Sequence, residues 1–296
     1  MEKCQGTILK SLSGFYSVET ESRRFECRAC GRFRKTGEKP VVGDHVVFRI
    51  EGDTGYIEEL LPRKNVLVRP PVANIDQLLI VVSVCSPVPS TLVIDKLIAA
   101  AEHQKIEPAV AVSKIDLEDG SRIYETYRNA GFACFAVSSE TGRGVESIRP
   151  FLKDKVTVFT GNTGAGKSSL LNALYPELQL VTGTVSQKLG RGRHTTRQVE
   201  LLHLPEGGLA ADTPGFSSIS AERYDLIEKD QLQNCFREFS PYIEQCKFKG
   251  CSHTCEEGCA VLKAVEDGLI PKSRHESYVA MYQEIKGIKE KEWDKK

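Results

Sequence analysis

Lys155-Val-Thr-Val-Phe-Thr-Gly161-Asn-Thr-Gly164-Ala-Gly166-Lys167-Ser168-Ser169-Leu-Leu-Asn-Ala-Leu-Tyr175 is a β-branched apolar run that breaks into a glycine-rich turn and resumes as an apparent helix. Gly-x4-Gly-Lys-Ser between a strand and a helix is a phosphate-wrapping arrangement, because backbone N–H groups of the turn and of the helix N-terminus converge on an oxyanion. The candidate phosphate-binding residues are Gly161, Asn162, Thr163, Gly164, Ala165, Gly166, Lys167, Ser168 and Ser169. Lys167 would reach the terminal phosphates and Ser168 would bind Mg²⁺.

Working outward, apolar strand-like runs alternate with helix-like ones: QLLIVVSV (77–84), Leu92 to His103, PAVAVS (108–113), Arg122 to Ala130, FACFAVS (132–138), and later GLAAD (208–212). This alternation predicts an α/β domain with a mostly parallel sheet flanked by helices. Ser113-Lys114-Ile-Asp116, after the third run, resembles the Asn-Lys-x-Asp motif of GTPases, whose Asp accepts from the ring N–H and amino group of guanine. Adenine cannot donate that pair. Ser113 stands where Asn is usual, which predicts weaker packing against the phosphate loop. Ser138-Ser139 resembles the loop that meets the guanine carbonyl through backbone N–H groups.

Asp212-Thr-Pro-Gly215 resembles the Asp-x-x-Gly switch of GTPases, with Asp212 on Mg²⁺ and the Gly215 N–H sensing the γ-phosphate. Between loop and switch lies GRGRHTTR (190–197), whose Thr195 or Thr196 would complete a magnesium shell with Ser168 and Asp212; the same basic string also fits an RNA-contacting loop. Many GTPases follow the switch glycine with a water-orienting Gln; here the residue is Phe216, leaving His194 as the nearby polar candidate. The catalytic candidates are thus Lys167, Asp212, Gly215 and His194. Base motif first, phosphate loop second and switch last departs from the order of ordinary GTPases, which begin with the phosphate loop, and circular permutation reconciles it. The switch then leads directly into the C-terminal part of the chain.

The first 69 residues read as five short strands punctuated by Gly6, Gly14, Gly43 and Gly55, which predicts a small oligonucleotide-binding (OB-type) barrel. Ser22 to Lys39 carries Arg23, Arg24, Arg28, Arg32, Arg34, Lys35 and Lys39 against Glu26 and Glu38, with Phe25 and Phe33 interleaved. Charge plus stacking surface is what RNA requires, and Arg28, Arg32, Arg34 and Lys35 are the RNA-binding candidates. A solvated charged face would carry a similar run. The prolines of LVRPPVAN (67–74) predict an extended linker. The expected domains are 1–69, 70–222 and 223–296.

Over the whole chain 40 basic residues balance 40 acidic ones, and 40% hydrophobic with 27% charged content excludes fibrous and disordered classes. No apolar run, that of Leu78 into Val82 included, approaches the roughly 18 residues of a membrane span, and no secretory signal opens the chain. A cytoplasmic, monomeric protein without membrane contact is expected. Ten cysteines in that compartment point to metal before disulfides. Cys246-x4-Cys251-x-His253-x5-Cys259 is a structural-zinc donor set, with Cys255 a fifth candidate that spacing alone leaves open. The lone Cys27-x-x-Cys30 pair cannot complete a four-ligand site. The charged terminal helix places Tyr278, Tyr282, Ile285 and Ile288 on one stripe, predicting that it packs onto the body through that face.

A small barrel, a permuted GTPase carrying GRGRHTTR and DTPGF, and this cysteine cluster together resemble the ribosome small subunit-dependent GTPase family. SGFY, CGRFRK, VGDHV, RPPVANIDQ, GNTGAGKSSLLNAL, ADTPGFSS and GCAVLKAVEDG extend the likeness over essentially the whole chain. The resemblance implies hydrolysis of GTP to GDP and phosphate, stimulated by the small (30S) ribosomal subunit during its late maturation, with 16S rRNA contacts from barrel and zinc module. It implies Mg²⁺ with GTP and one structural Zn²⁺ on Cys246, Cys251, His253 and Cys259, leaving Cys255 outside. Two rivals remain: a nucleotide-dependent RNA-binding switch with negligible turnover, and an ATP-dependent small-molecule kinase.

Overall fold

The computed structural model describes residues 3–33, 37–52, 54–68, 71–180, 199–212 and 227–293. Five strands form the N-terminal part: β1 (Lys3–Leu12), β2 (Phe15–Glu19), β3 (Arg24–Ala29), β4 (His45–Glu51) and β5 (Thr54–Leu60). They pair in the closed circuit β1-β2-β3-β5-β4-β1, parallel only between β3 and β5. Strict alternation along Arg24–Ala29 sends Phe25 and Cys27 inward and Arg24, Glu26 and Arg28 outward. Phe25 and Phe33 are only 8% and 6% exposed, and Phe25 packs its ring 5.2 Å from that of Phe48. The interleaved phenylalanines are therefore barrel core, which corrects their expected role as stacking surface. Cys27 is likewise a core thiol, pushed up to about 12 by burial, and it packs so closely on β5 that a Cβ at Gly55 would lie 2.3 Å from its sulfur.

The expected extended linker is a docked hairpin, β6 (Val66–Val68) with β7 (Pro71–Ala73). The Asn65 amide donates to Ile75 O (2.8 Å) and its oxygen accepts from Ile75 N (2.8 Å), while Asn74 donates to Gly43 O (2.8 Å). The Ala73 N–H reaches Val42 O at 2.8 Å. Next to this seam, buried Asp44 receives Arg63 through a two-pronged contact at 2.7 and 2.8 Å. These side-chain bonds satisfy the backbone of Ile75 and Gly43 outside the strands, so the segment is fixed against the barrel.

The central sheet contains β8 (Gln77–Ser83), β9 (Glu107–Ser113), β10 (Ala133–Val137), β11 (Val156–Thr160), β12 (Glu200–His203) and β13 (Leu209–Asp212), in the spatial order β10-β9-β8-β11-β13-β12. All neighbours are parallel except β12 and β13. Helices α1 (Thr91–His103) and α2 (Ser121–Asn129) cover one face, and α3 (Arg149–Leu152) with α4 (Lys167–Leu174) the other. Every residue of β8 is buried, as a strand covered on both faces requires. From β8 the chain winds toward one edge and from β11 toward the other, so the strand order reverses between them. Ligands of such sheets bind outside the carboxyl ends of the strands at this reversal. β12 also pairs with β1, which joins barrel and sheet edge to edge, with Lys10 and Glu200 in contact at 2.6 Å.

Helices α5 (Ser240–Ile243), α6 (Ala260–Glu266) and α7 (Lys272–Trp293) form the C-terminal part. Its core joins Phe236, Phe239, Val261, Tyr278, Met281 and Ile285 to Ala99 of α1. The expected stripe on the last helix is present at Tyr278, Tyr282 and Ile285, with Met281 added; the side chain of Ile288 lies outside the described residues. Among the described residues no helix is long and apolar enough to cross a membrane.

Gly43 has φ +86°, and a Cβ there would lie 2.1 Å from Ala73 O, a backbone atom that cannot swing away. Gly43→Ala should therefore destabilise the barrel by more than about 2 kcal/mol and speed proteolysis of the 61–76 segment. Thermal unfolding and limited digestion check this, and wild-type behaviour in both would refute the docked hairpin.

Candidate nucleotide and metal sites

The phosphate loop leaves β11 at Gly161, φ +136°, and turns through Gly164 (+82°) and Gly166 (+96°) into α4. A Cβ at Gly161 would lie 2.1 Å from Val81 O, so the loop runs directly against the backbone of β8. Lys167 opens α4 and is only 7% exposed. Its ammonium folds back over the loop, donating to Gly161 O at 2.8 Å and Asn162 O at 2.9 Å. A fixed positive charge thus sits at the mouth of a turn followed by a helix N-terminus, where an anion is favoured.

Ser113 ends β9 in register with Ser83 of β8 and Val137 of β10. Its buried hydroxyl lies 2.6 Å from Ala165 O and 3.2 Å from Val82 O, donating across to the phosphate loop. The expected loosening by Ser in place of Asn is not what the geometry holds: the shorter side chain still ties base motif to loop. Lys114 follows in a left-handed conformation, φ +62°, and its ammonium donates to Ser86 O. Asp116, two residues on, is exposed. Ser138 is buried; its N–H goes to Arg143 O (2.9 Å) and its hydroxyl accepts from Thr141 N (3.1 Å). Any contact with a base carbonyl therefore passes to the amides that follow, beginning at half-buried Ser139.

The backbone of Asp212 pairs with Phe159 of β11, bringing the start of the switch beside the loop strand. Of the magnesium candidates, Ser168 stands in the first turn of α4, whereas the Asp212 side chain, Thr195 and Thr196 lie outside the described residues, as do His194, Gly215, Arg34 and Lys35. The described donor, one serine hydroxyl beside the loop, is an oxygen ligand of the kind Mg²⁺ takes. On the barrel, exposed Arg28 stacks over Phe15 with its Cζ 4.5 Å from the ring centre, and Arg32 lies 5.7 Å from that of Phe33. Phe15, half-buried on the outer surface, is an aromatic that the charge pattern did not single out.

In the C-terminal part the ligand atoms of Cys246, Cys251, His253 and Cys259 all lie within 4.8 Å of one another, while Cys255 is exposed and outside the group. His253 Nδ1 is 3.6 Å from Cys246 Sγ and 3.4 Å from Cys259 Sγ. Its other nitrogen, Nε2, meets Gln233 Oε1 at 2.7 Å, which sets Nε2 as the donor and leaves Nδ1 to coordinate. Cys259 caps α6 and its sulfur accepts from Leu262 N at 3.5 Å, a bond that opposes in part the burial that pushes this thiol up. Burial opposes the Glu256 charge, but hydrogen bonds led by Ser252 hold that carboxyl at about 2, so it pins the 252–255 turn. Three soft sulfurs and an oriented imidazole fit zinc. Gln233 was not legible beforehand, since it lies 20 residues from His253 with no ligand spacing to mark it.

Comparison with known proteins agrees with this geometry. The family description "RsgA GTPase" matches residues 60–222, and "RsgA N-terminal domain" matches residues 5–57. A Caldanaerobacter subterraneus protein named small ribosomal subunit biogenesis GTPase RsgA is 45% identical over 97% of both chains. The Bacillus subtilis protein of that name is 44% identical, covering 96% of this chain and 98% of its own length. Among solved structures, YjeQ from Thermotoga maritima superposes with a TM-score of 0.79 at 35% identity, covering 97% of this chain and 99% of its own. YloQ, described as a circularly permuted GTPase, gives 0.77 at 39% identity, covering 97% and 96%. The permuted order deduced from the motifs and the sheet is thus that of a known architecture.

Metal analysis of the purified chain should find one zinc, lost on replacing Cys246, Cys251, His253 or Cys259 and kept in Cys255→Ser. Gln233→Leu should weaken zinc affinity about 10- to 100-fold in chelator competition; unchanged affinity would remove Gln233 from the site. Ser113→Ala, which forfeits one buried hydrogen bond, should weaken guanine nucleotide binding about threefold to tenfold in titration.

Proposed function

The chain belongs to the RsgA GTPase family, and from that premise we propose that it binds the small ribosomal subunit and hydrolyses GTP to GDP and phosphate during late maturation of that subunit. The observation that carries the reading is the Ser113 bond to Ala165 O, which locks a guanine-reading motif to a phosphate loop at the sheet's reversal point. We assign barrel (1–69), permuted GTPase (70–222) and zinc-binding helical part (223–296) as its working divisions. In this reading the protein acts as a monomer in the cytoplasm.

The loop amides from Gly161 to Ser169 and the Lys167 ammonium hold the phosphates, and the carboxylate of Asp116 accepts the two N–H donors of guanine. Lys114 lies along the base plane, and the Ser138-Ser139 loop closes on the base carbonyl. Ser168 and Asp212, with Thr195 or Thr196, would hold the Mg²⁺ that offsets the phosphate charge. Gly215 N–H senses the γ-phosphate. Phe216 has no group to orient water, so His194 is assigned that role, exercised on the bound subunit. Arg28, Arg32, Arg34 and Lys35 are assigned to 16S rRNA, with the zinc module a second contact; there the zinc would hold the knuckle in shape.

Phosphate release measured with and without purified small subunits tests nucleotide, partner and catalysis together. Turnover is expected to be slow alone and strongly raised by the subunit; fast turnover without it would refute activation. His194→Ala should keep GTP and subunit binding while losing at least about a hundredfold of the stimulated rate. Asp116→Asn should shift preference from guanine toward xanthine nucleotides, and an unchanged preference would sink the base assignment.

A further inference from the structure

Arg274, in the first turn of α7, is fully buried. Its Nη1 donates to Asp95 Oδ1 of α1 at 2.6 Å, its Nε to Glu238 Oε1 at 2.6 Å, and its Nη2 to Glu238 Oε2 at 3.3 Å. The guanidinium carbon lies 4.5 Å from the centre of the Phe236 ring and 5.3 Å from that of Phe132. Burying three charges is costly and is offset only where the geometry is good, so removing one partner leaves a large uncompensated penalty. Asp95 is itself completely buried in the middle of α1. Two further ion pairs hold the same helix to the C-terminal part: Lys96 with Glu284 at 2.8 Å, and Arg237 with Glu102. Arg237 also reaches Glu107, at the start of β9, at 2.7 Å. α1 is thus gripped near its middle and at its end.

The N-terminus of α1 leads back to the nucleotide site. The turn that precedes it, 84–90, offers Ser86 O to the Lys114 ammonium, and the same carbonyl lies 3.2 Å from Ser83 Oγ. A Cβ at Gly164 would lie 3.8 Å from Pro87 Cδ, so the turn borders the phosphate loop. Pro87, Ser90 and Val93 share one depression with Gly161 and Asn162.

We propose that Arg274 is a positioning residue for the nucleotide: by clamping Asp95 it fixes the placement of α1, and through the 84–90 turn it fixes Lys114 beside the phosphate loop. The zinc-bearing part and the nucleotide site are then energetically coupled through a single helix, over and above the direct chain connection after Gly215. This inference rests on the reading that residues 113–116 and 161–168 hold a guanine nucleotide. Lysine at position 274 would keep the charge but lacks the planar fork needed to bridge Asp95 and Glu238 together.

The test is titration of a fluorescent GDP analogue into the zinc-loaded full chain, as wild type, Arg274→Lys, Lys114→Ala and the double variant. Arg274→Lys should weaken binding about fivefold or more, the lower end of ordinary coupling between sites, at wild-type zinc content. The double variant should bind no more weakly than Lys114→Ala alone, because both losses run through the same contact. Wild-type affinity in Arg274→Lys, or losses that multiply in the double variant, would overturn the proposal. Should Arg274→Lys fail to load zinc, Asp95→Ala, which removes the acceptor that Arg274 holds on α1, decides by the same two criteria. Lys167→Ala separates the premise from the proposal: retained GDP binding there would displace the nucleotide site itself, whatever Arg274 does.

Discussion

At Gly161 the backbone of β11 turns away against the backbone of β8, at a separation that admits no side chain. Two adjacent parallel strands whose onward connections run to opposite edges open a crevice at their carboxyl ends. Here β8 and β11 are those strands, and the close approach places the phosphate loop on the crevice floor. Ser113, one strand further out, reaches the same loop through its hydroxyl. The 113–116 segment and the glycine-rich loop are thereby held to each other by a side-chain hydroxyl on a backbone carbonyl, which leaves little freedom in their spacing.

Permutation changes what is attached to this crevice without changing the crevice. The barrel joins the sheet at β12, where β1 pairs with it and where Lys10–Glu200 and Glu19–His203 contacts, both 2.6 Å, reinforce the seam. The C-terminal part, which carries the three-cysteine, one-histidine cluster, packs instead on α1, at one face, through an apolar core and the buried Arg274 network. The barrel and the C-terminal part therefore pack on the central sheet domain from separate sides. The zinc cluster is built on the same economy of short loops: Glu256 holds the turn between Cys251 and Cys255, and Gln233 orients the imidazole from a preceding segment.

Motif spacing, strand alternation and the order of the three nucleotide motifs were legible in the linear chain, because each depends on residues a few positions apart. The phosphate loop needs its glycines, lysine and serine within eight residues, and the permuted α/β class follows from where that loop stands among the apolar runs. The zinc candidates likewise fall within fourteen residues. What the sequence left open or misread depended on distance across the fold. Phe25 and Phe33 lie amid arginines, yet barrel closure turns them inward, since alternation alone does not say which face becomes the core. The substitution of Ser113 for Asn suggested a lost contact, and only the spacing of β9 from the phosphate loop showed that a hydroxyl spans it. Cys255 stood level with the other cysteines until folding left it in solvent. Asp95, Glu238 and Arg274 are charged residues scattered over 179 positions, and they become one buried network only when α1 and α7 meet. Local chemistry is written in neighbouring residues, but pairing between distant charges is decided by packing, where desolvation makes each of them depend on partners that the sequence does not place beside it.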